Sequence, residues 1–541
     1  MTGIRSPWSR LAALCAAVAT GIAGLAVSAG TGPADAAPRT GQVVHVDGGA
    51  LRGVNAGVVT SYLGIPYAAP PTGNLRWRPP RHAPAWHGIR DASQFGPSCP
   101  QSQVFNPFLP PGPISEDCLY LNVYAPARSR QHGDGQPVLV WIHGGGLVQD
   151  GARNYDGSKL AADGTVVVTI NYRLGALGFL ADPAFATRPG GSTGNFGLMD
   201  QQAALRWVQR NIARFGGDPE NVTIAGESAG GLSVLAHLVS PGSRGLFQRA
   251  IVQSGAFALH QRSLAEAEAA GQDFAAAVGC TQNTAACLRQ APVADLVNDF
   301  GVEIPGYVDG AVLTEPIAKA LAHGRFARVP ILNGITHDEE RLFVDALGIA
   351  VSRGTDVPIP ARPVNDANYQ TDIAAVLGVS NTAAAAIAAE YPISSYSSAD
   401  DSPADVAFST LVSDANFACP ALQVDSWTSR RVPTFAYQFN DDNAPFVPHF
   451  PAVATHGSEL PYLFDLPNLP YPTTLDSAQQ ALAASMRSAW AHFARTGRPG
   501  TAALPWPSYR HDTSVMSLAT PQSVVTSDFA SVHHCAFWGA G

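Results

Sequence analysis

Apolar, β-branched runs a few residues long, each bounded by turn formers, recur along the chain at residues 119–123, 138–142, 166–170, 222–225, 250–253, 329–333 and 434–439. Runs this short and this continuously apolar predict buried strands. Between several of them the apolar positions shift to a helical spacing, over 200–215, 229–239, 264–278 and 477–495. The last of these follows Asp476, a fitting N-cap, and stops before Gly497, so the sequence marks both of its ends. Strand and helix alternate, which places the chain in the α/β class. The rhythm breaks between 343 and 402, where proline-rich loops surround an alanine-rich run at 383–389. That stretch reads as a helical insertion over one sheet edge, of the kind that shapes a substrate entrance.

The first residues stand apart from this pattern. Arg5 and Arg10 flank the start of an apolar Ala, Leu, Val and Gly run at 11–27, and a small-residue tail ends in Ala34-Asp35-Ala36. This order reads as a secretory signal over residues 1–36, followed by one domain over 37–541 that no long linker or repeat divides. A membrane anchor is the competing reading, but the run is barely long enough to span and is diluted by glycine. Removal of the signal takes Cys15 with it and leaves six of the seven cysteines, an even set that suits three disulfides in an oxidising compartment outside the cytoplasm. The chain holds 33 Lys and Arg against 42 Asp and Glu, and losing Arg5, Arg10 and Asp35 takes the net charge from −9 to −10. That argues against nucleic acid as a partner.

The candidate chemistry lies in two glycine-rich turns. In Val222-Thr223-Ile224-Ala225-Gly226-Glu227-Ser228-Ala229-Gly230-Gly231 a predicted strand runs into Gly-x-Ser-x-Gly and then into a predicted helix. That is the setting of a nucleophile elbow, in which Gly226 and Gly230 must be small for strand and helix to approach. The bland alternative makes Ser228 an ordinary helix cap; the strand before it and the helix after it favour the nucleophile. The second turn, Trp141-Ile142-His143-Gly144-Gly145-Gly146, also follows a strand. Amides of Gly145 and Gly146, with that of Ala229, would make a three-donor oxyanion hole. A phosphate-binding nest would need a Gly-Lys-Ser/Thr continuation, and Leu147, Val148 and Gln149 stand there instead.

With these turns in place the chain resembles the type-B carboxylesterase family, which includes the cholinesterases, from about residue 41 to 538. Further signatures appear in order: Tyr62-Leu63-Gly64-Ile65-Pro66-Tyr67-Ala68, Pro70-Pro71-Thr72-Gly73-Asn74-Leu75-Arg76, Glu116-Asp117-Cys118-Leu119-Tyr120-Leu121-Asn122-Val123, and Asn171-Tyr172-Arg173. Phe215-Gly216-Gly217-Asp218-Pro219 leads into the elbow as the family's serine signature does. The resemblance implies an α/β-hydrolase fold with a large, mostly parallel central sheet flanked by helices and a helical insertion over the active site. The implied activity is hydrolysis of small-molecule carboxylic esters with no cofactor or metal.

The family's triad acid is a glutamate after a strand, which falls on Glu339 in Asp338-Glu339; Glu340 stands where the family usually has glycine, and Asp338 is the other candidate. The family's histidine motif appears as His456-Gly457-Ser458-Glu459-Leu460-Pro461-Tyr462. His260, His323, His449, His533 and His534 lack such a context and read as surface or packing residues. Glu227 and Ser254 match family positions near the triad, where each is either a supporting group or simply structural. The resemblance also proposes disulfides Cys99 to Cys118, Cys280 to Cys287 and Cys419 to Cys535. The first of these loops carries Phe105, Phe108, Pro107, Pro110, Pro111 and Pro113 but no tryptophan. That disfavours a quaternary-ammonium ester, and so stiff a loop makes a poor lipase flap. Soluble short or medium acyl or aryl esters are expected, with a lipase or sterol esterase as the first rival and a non-catalytic binding protein as the second. The protein is expected to be secreted, without a stable membrane anchor, with a monomer the favoured state.

Overall fold

Every side chain of Val166–Ile170 is buried, which a strand achieves when both faces of its sheet are covered. The computed structural model describes residues 39–540 apart from 103–111, 128–134, 187–192, 299–305, 353–354, 360–362, 398–401, 446–452, 470–472 and 511–512. The expected signal, His449, and Phe105, Phe108, Pro107, Pro110 and Pro111 lie outside the described residues.

Thirteen described strands form one sheet. In chain order they are β1 (Arg39–Val46), β2 (Gly49–Asn55), β3 (Val59–Pro66), β4 (Ile89–Asp91), β5 (Tyr120–Pro126), β6 (Gln136–Ile142), β7 (Val166–Ile170), β8 (Gly217–Glu227), β9 (Arg249–Gln253), β10 (Ile331–Thr336), β11 (Thr434–Phe439), β12 (Val515–Leu518) and β13 (Val524–Thr526). Their spatial order is β1-β2-β3-β5-β7-β6-β8-β9-β10-β11-β12-β13, with β4 beside β2. Pairing is antiparallel from β1 to β7 along this path, parallel from β7 to β12, and antiparallel again at β13.

The strand period of two splits the apolar residues between two cores. Val138, Val140 and Ile142 of β6 face one core; Leu139 and Trp141 face the other. The helices α1 (Phe196–Asn211) and α2 (Ala229–Val239) cover the first face with Leu205, Val208, Leu232 and Leu235. On the opposite face α4 (Ser477–Thr496) packs Leu482, Met486, Trp490 and Phe493. A further helix, α3 (Leu264–Ala277), begins at a Ser263–Glu266 capping box. Asp476 caps α4 as expected and Gly497 closes it at φ 76°, a left-handed conformation natural to glycine. Among the described residues no single helix is long and apolar enough to cross a membrane.

The insertion is helical over Tyr369–Leu377, Asn381–Glu390 and Pro403–Ser413, adds an antiparallel ribbon of Ile349–Ser352 with Thr355–Pro358, and builds its own core around Val364, Ile373, Phe408 and Leu411. It leaves β10 and returns through β11, and these are adjacent interior strands paired in parallel from Ile331↔Thr434 to Thr336↔Phe439. The structure joins Cys99 to Cys118, Cys280 to Cys287 and Cys419 to Cys535.

Candidate active site

Between the end of β8 and the start of α2 a single residue, Ser228, makes the turn, at φ 56° and ψ −124°. For a residue with a side chain this conformation costs about 1–3 kcal/mol, and it lifts the hydroxyl clear of both strand and helix. The turn is held by the Ser228 N–H, which donates to the Gln253 carbonyl at 2.9 Å. A carbon added to Gly230 would lie 1.9 Å from the Ile142 oxygen, and one added to Gly226 would lie 2.5 Å from the Gly230 carbonyl carbon. Both glycines are therefore required by close approach of backbone, as the elbow motif predicts.

The glycine loop leaves β6 on the neighbouring strand. Gly145 and Gly146 adopt φ of 82° and 62°, and a carbon on Gly144 would sit 3.1 Å from Ser228 Cβ, so this loop runs directly against the elbow. Among the described residues, the N–H groups of Gly145, Gly146 and Ala229 enter no hydrogen bond. Tyr172 supports the loop from behind, donating its hydroxyl to the His143 carbonyl at 2.8 Å.

Glu339 and His456 come from the loops after β10 and β11. Two hydrogen bonds lace those loops together, Asp338 N–H to the Ala454 carbonyl at 2.8 Å and Leu342 N–H to Thr455 Oγ1 at 2.9 Å. His456 Nδ1 lies 2.5 Å from Glu339 Oε2, while Glu339 Oε1 accepts from the Thr336 N–H at 3.0 Å. Asp338 points elsewhere and pairs with His337 at 3.2 Å. Glu340, in the unusual position, is buried, and its backbone N–H donates to Ser413 Oγ at 2.9 Å. The other ring nitrogen, His456 Nε2, is 3.1 Å from Glu227 Oε1, so Glu227 is no solvated surface carboxylate.

This arrangement sets the charges. Burial alone would lower the His456 pKa, but the carboxylates of Glu227 and Glu339, the hydrogen bond to Glu339, and Glu459 outweigh it and push the imidazole up to about 9. Burial raises Glu227 to about 8 against the pull of His456, with Glu459, Glu339 and Asp150 adding to the rise. Glu227 and His456 act on each other in opposite senses, the carboxylate favouring the imidazolium and the imidazolium the carboxylate. Burial likewise raises Glu459 to about 7, against the hydrogen bond from Gln253; Gln253 Nε2 donates to Glu459 Oε1 at 2.9 Å, and its own Oε1 accepts from Trp490 at 3.0 Å.

Ser254 is buried at φ 49°, its N–H bonded to the Gly334 carbonyl at 2.8 Å, and its hydroxyl has no partner among the described residues. Sequence reasoning missed Glu459, whose place in the histidine motif was the available signal. It also missed Phe343 and Phe417, whose rings lie 5.0 and 5.4 Å from that of His456; no local pattern marks them. Among the histidines set aside, His260 and His323 are exposed, His534 pairs with Glu390, and His533 is buried against Asp414 at 2.5 Å.

The carboxylesterase family model matches residues 40–538. The chain is 36% identical to cocaine esterase of Homo sapiens over 558 residues, spanning 98% of this chain and 96% of the relative. Fumonisin B1 esterase of Sphingopyxis macrogoltabida is 36% identical over 505 residues, 88% of this chain and 86% of its own. Para-nitrobenzyl esterase of Bacillus subtilis is 34% identical over 514 residues, 90% and 97% respectively. A strained serine elbow, a glycine loop beside it and a buried carboxylate on a histidine thus lie in a chain that matches these relatives along nearly its whole length, and the chain belongs to the carboxylesterase family, whose members hydrolyse carboxylic esters.

Proposed function

We propose that this serine carboxylic-ester hydrolase works through Ser228 as nucleophile, His456 as general base and Glu339 as its orienting acid. The observation that carries the reading is the 2.5 Å contact between His456 Nδ1 and Glu339 Oε2. A carboxylate there fixes the tautomer, leaving Nε2 free to accept the Ser228 proton as Oγ attacks the ester carbonyl. The oxyanion is received by the N–H groups of Gly145, Gly146 and Ala229. His456 then protonates the leaving alcohol, and water repeats both steps on the acyl-enzyme. Glu227, at 3.1 Å from Nε2, favours the imidazolium that forms in each half-reaction.

The preferred substrates are short to medium acyl or aryl esters. Phe343 and Phe417 flank His456, and Phe417 lies 5.5 Å from Phe257; such a wall suits compact or flat groups better than a long flexible chain. A para-nitrobenzyl esterase among the relatives is in keeping with this. The chain is further read as a single domain, exported with removal of residues 1–36 and held by its three disulfides in an oxidising compartment. The test is turnover of p-nitrophenyl esters from acetate to palmitate beside Ser228→Ala, with the initial burst recorded. Rapid turnover of short esters that disappears in the variant is expected. Equal turnover by the variant overturns the assignment of Ser228, and a maximum at palmitate overturns the substrate range.

A further inference from the structure

Asp150 ends the glycine loop, and its surroundings are unusual for a residue of its kind. It is buried to 1% exposure and sits at φ 84°, a conformation that favours glycine. Its carboxylate is held by three hydrogen bonds, each 2.7 Å long. Oδ1 accepts from the Gly151 N–H and from Asn154 Nδ2, and Oδ2 accepts from the Tyr155 hydroxyl. Its backbone is gripped as well: Gln101 accepts from the Asp150 N–H and donates to the Asp150 carbonyl, both at 2.8 Å. Burying a carboxylate beside a site that must stabilise negative charge works against the reaction, unless the group does something there that a neutral residue could not.

The loop geometry shows what that is. Val148 and Gln149 N–H both donate to the Gly145 carbonyl at 3.0 Å, so this carbonyl points into the turn. The peptide between Gly145 and Gly146 is planar and trans, and its N–H must point the opposite way from its C=O. Holding the Gly145 carbonyl inward therefore aims the Gly146 N–H outward, as an oxyanion donor requires. The turn stays closed only while Gln149 stays beneath Gly145, where a carbon added to that glycine would lie 2.4 Å from the Gln149 oxygen and 2.9 Å from Asp150 Cβ. Asp150 is the next residue, and its grip on Gly151, Asn154 and Tyr155 anchors the end of the turn.

We infer that Asp150 is a positioning residue for the oxyanion hole, fixing the direction of the Gly146 N–H through the turn closed on the Gly145 carbonyl. This rests on reading Gly145 and Gly146 as oxyanion donors. Loss of a whole donor costs about 10²–10³ in kcat, and loss of aim costs less.

The test compares wild type with Asp150→Asn and Tyr155→Phe, the second removing one hydrogen bond while the carboxylate and the ring remain. Active sites are counted with a fluorophosphonate label, and kcat and KM for p-nitrophenyl butyrate are expressed per labelled site. Inhibition by an alkyl trifluoromethyl ketone, whose adduct places an oxyanion in the hole, is measured alongside. Expected are a fall of roughly 10–100-fold in kcat per site for Asp150→Asn and a smaller fall for Tyr155→Phe. KM should stay within about threefold, and ketone affinity should fall in parallel with kcat. A purely structural role would lower the labelled fraction and the melting temperature while kcat per site stayed at the wild-type value, and that result overturns the inference. So does a fall in kcat without a fall in ketone affinity. Should Asp150→Asn not fold, Tyr155→Phe decides alone. Wild type that neither takes the label nor binds the ketone points instead to failure of the serine-hydrolase reading.

Discussion

Glu339→Gln isolates what the buried carboxylate does for His456. The substitution keeps the side chain's shape and an oxygen for the Thr336 N–H, which donates at 3.0 Å, but removes the charge beside Nδ1. With the charge centres about 4 Å apart and an effective permittivity of about 20, attraction between imidazolium and carboxylate is about 4 kcal/mol. At about 1.4 kcal/mol per decade this is roughly three decades in kcat. An amide can also donate to Nδ1 and leave the hydrogen on Nε2, the wrong tautomer for a base, so the expected loss is roughly 10³–10⁴-fold. KM should change little, because the contact matters only once His456 takes a proton. The assay is burst and steady-state release of nitrophenol from p-nitrophenyl butyrate, with active sites counted by a fluorophosphonate. Asp338→Asn is the control: Asp338 pairs with His337, not His456, and its replacement should leave kcat within a few-fold. A loss of less than about tenfold in Glu339→Gln would refute the reasoning and leave Glu227 as the carboxylate that matters.

Two further outcomes are expected. His456 acts as a base only when neutral, and nearby carboxylates raise its pKa to about 9, so kcat/KM should rise with pH through neutrality; Glu227→Gln removes one of those carboxylates and should move the rise to lower pH in a pH–rate profile, whereas an unmoved profile would show that Glu227 is not felt at Nε2. Gly230→Ala would press a carbon to 1.9 Å from the Ile142 oxygen, and calorimetry should show a melting temperature lowered by several degrees together with loss of turnover; a stable, active variant would mean that the elbow has slack.

Legibility in the sequence followed the range of the forces involved. The strands expected at 166–170 and 434–439 appear with those bounds, since every side chain in them is buried and most are apolar or β-branched. The strand expected at 222–225 runs from Gly217 to Glu227; its pairing with β6 shifts register between Gly217 and Val222, and the polar Asp218 and Glu220 in that stretch hide its start. The helix expected from 200 begins at Phe196. The elbow and glycine loop were legible because close backbone approach admits glycine alone, and that demand is local. That the insertion joins two interior strands was not legible, because the order of strands in a sheet is set by pairings between distant segments. The contact of Glu227 with His456 joins residues 229 positions apart, and 117 positions separate Glu339 from His456; no periodicity reports on such distances, and Phe343 and Phe417 were overlooked for the same reason.

The position of the insertion bears on how such a protein could diversify. The segment 337–433 leaves β10 after Thr336 and enters β11 at Thr434, and because those strands pair in parallel its two ends lie at opposite ends of the ladder; the Asp338 and Leu342 hydrogen bonds fix its first residues to the His456 loop. Glu339 belongs to that fixed beginning, whereas the helices Tyr369–Leu377, Asn381–Glu390 and Pro403–Ser413 follow it, and lengthening a loop among them costs only about 0.6 kcal/mol per doubling. Variation after residue 342 can therefore alter the insertion while leaving in place the hydrogen bonds that fix the Glu339 loop to the His456 loop. The acid is thus carried on the first few residues of a stretch whose remainder can change without it.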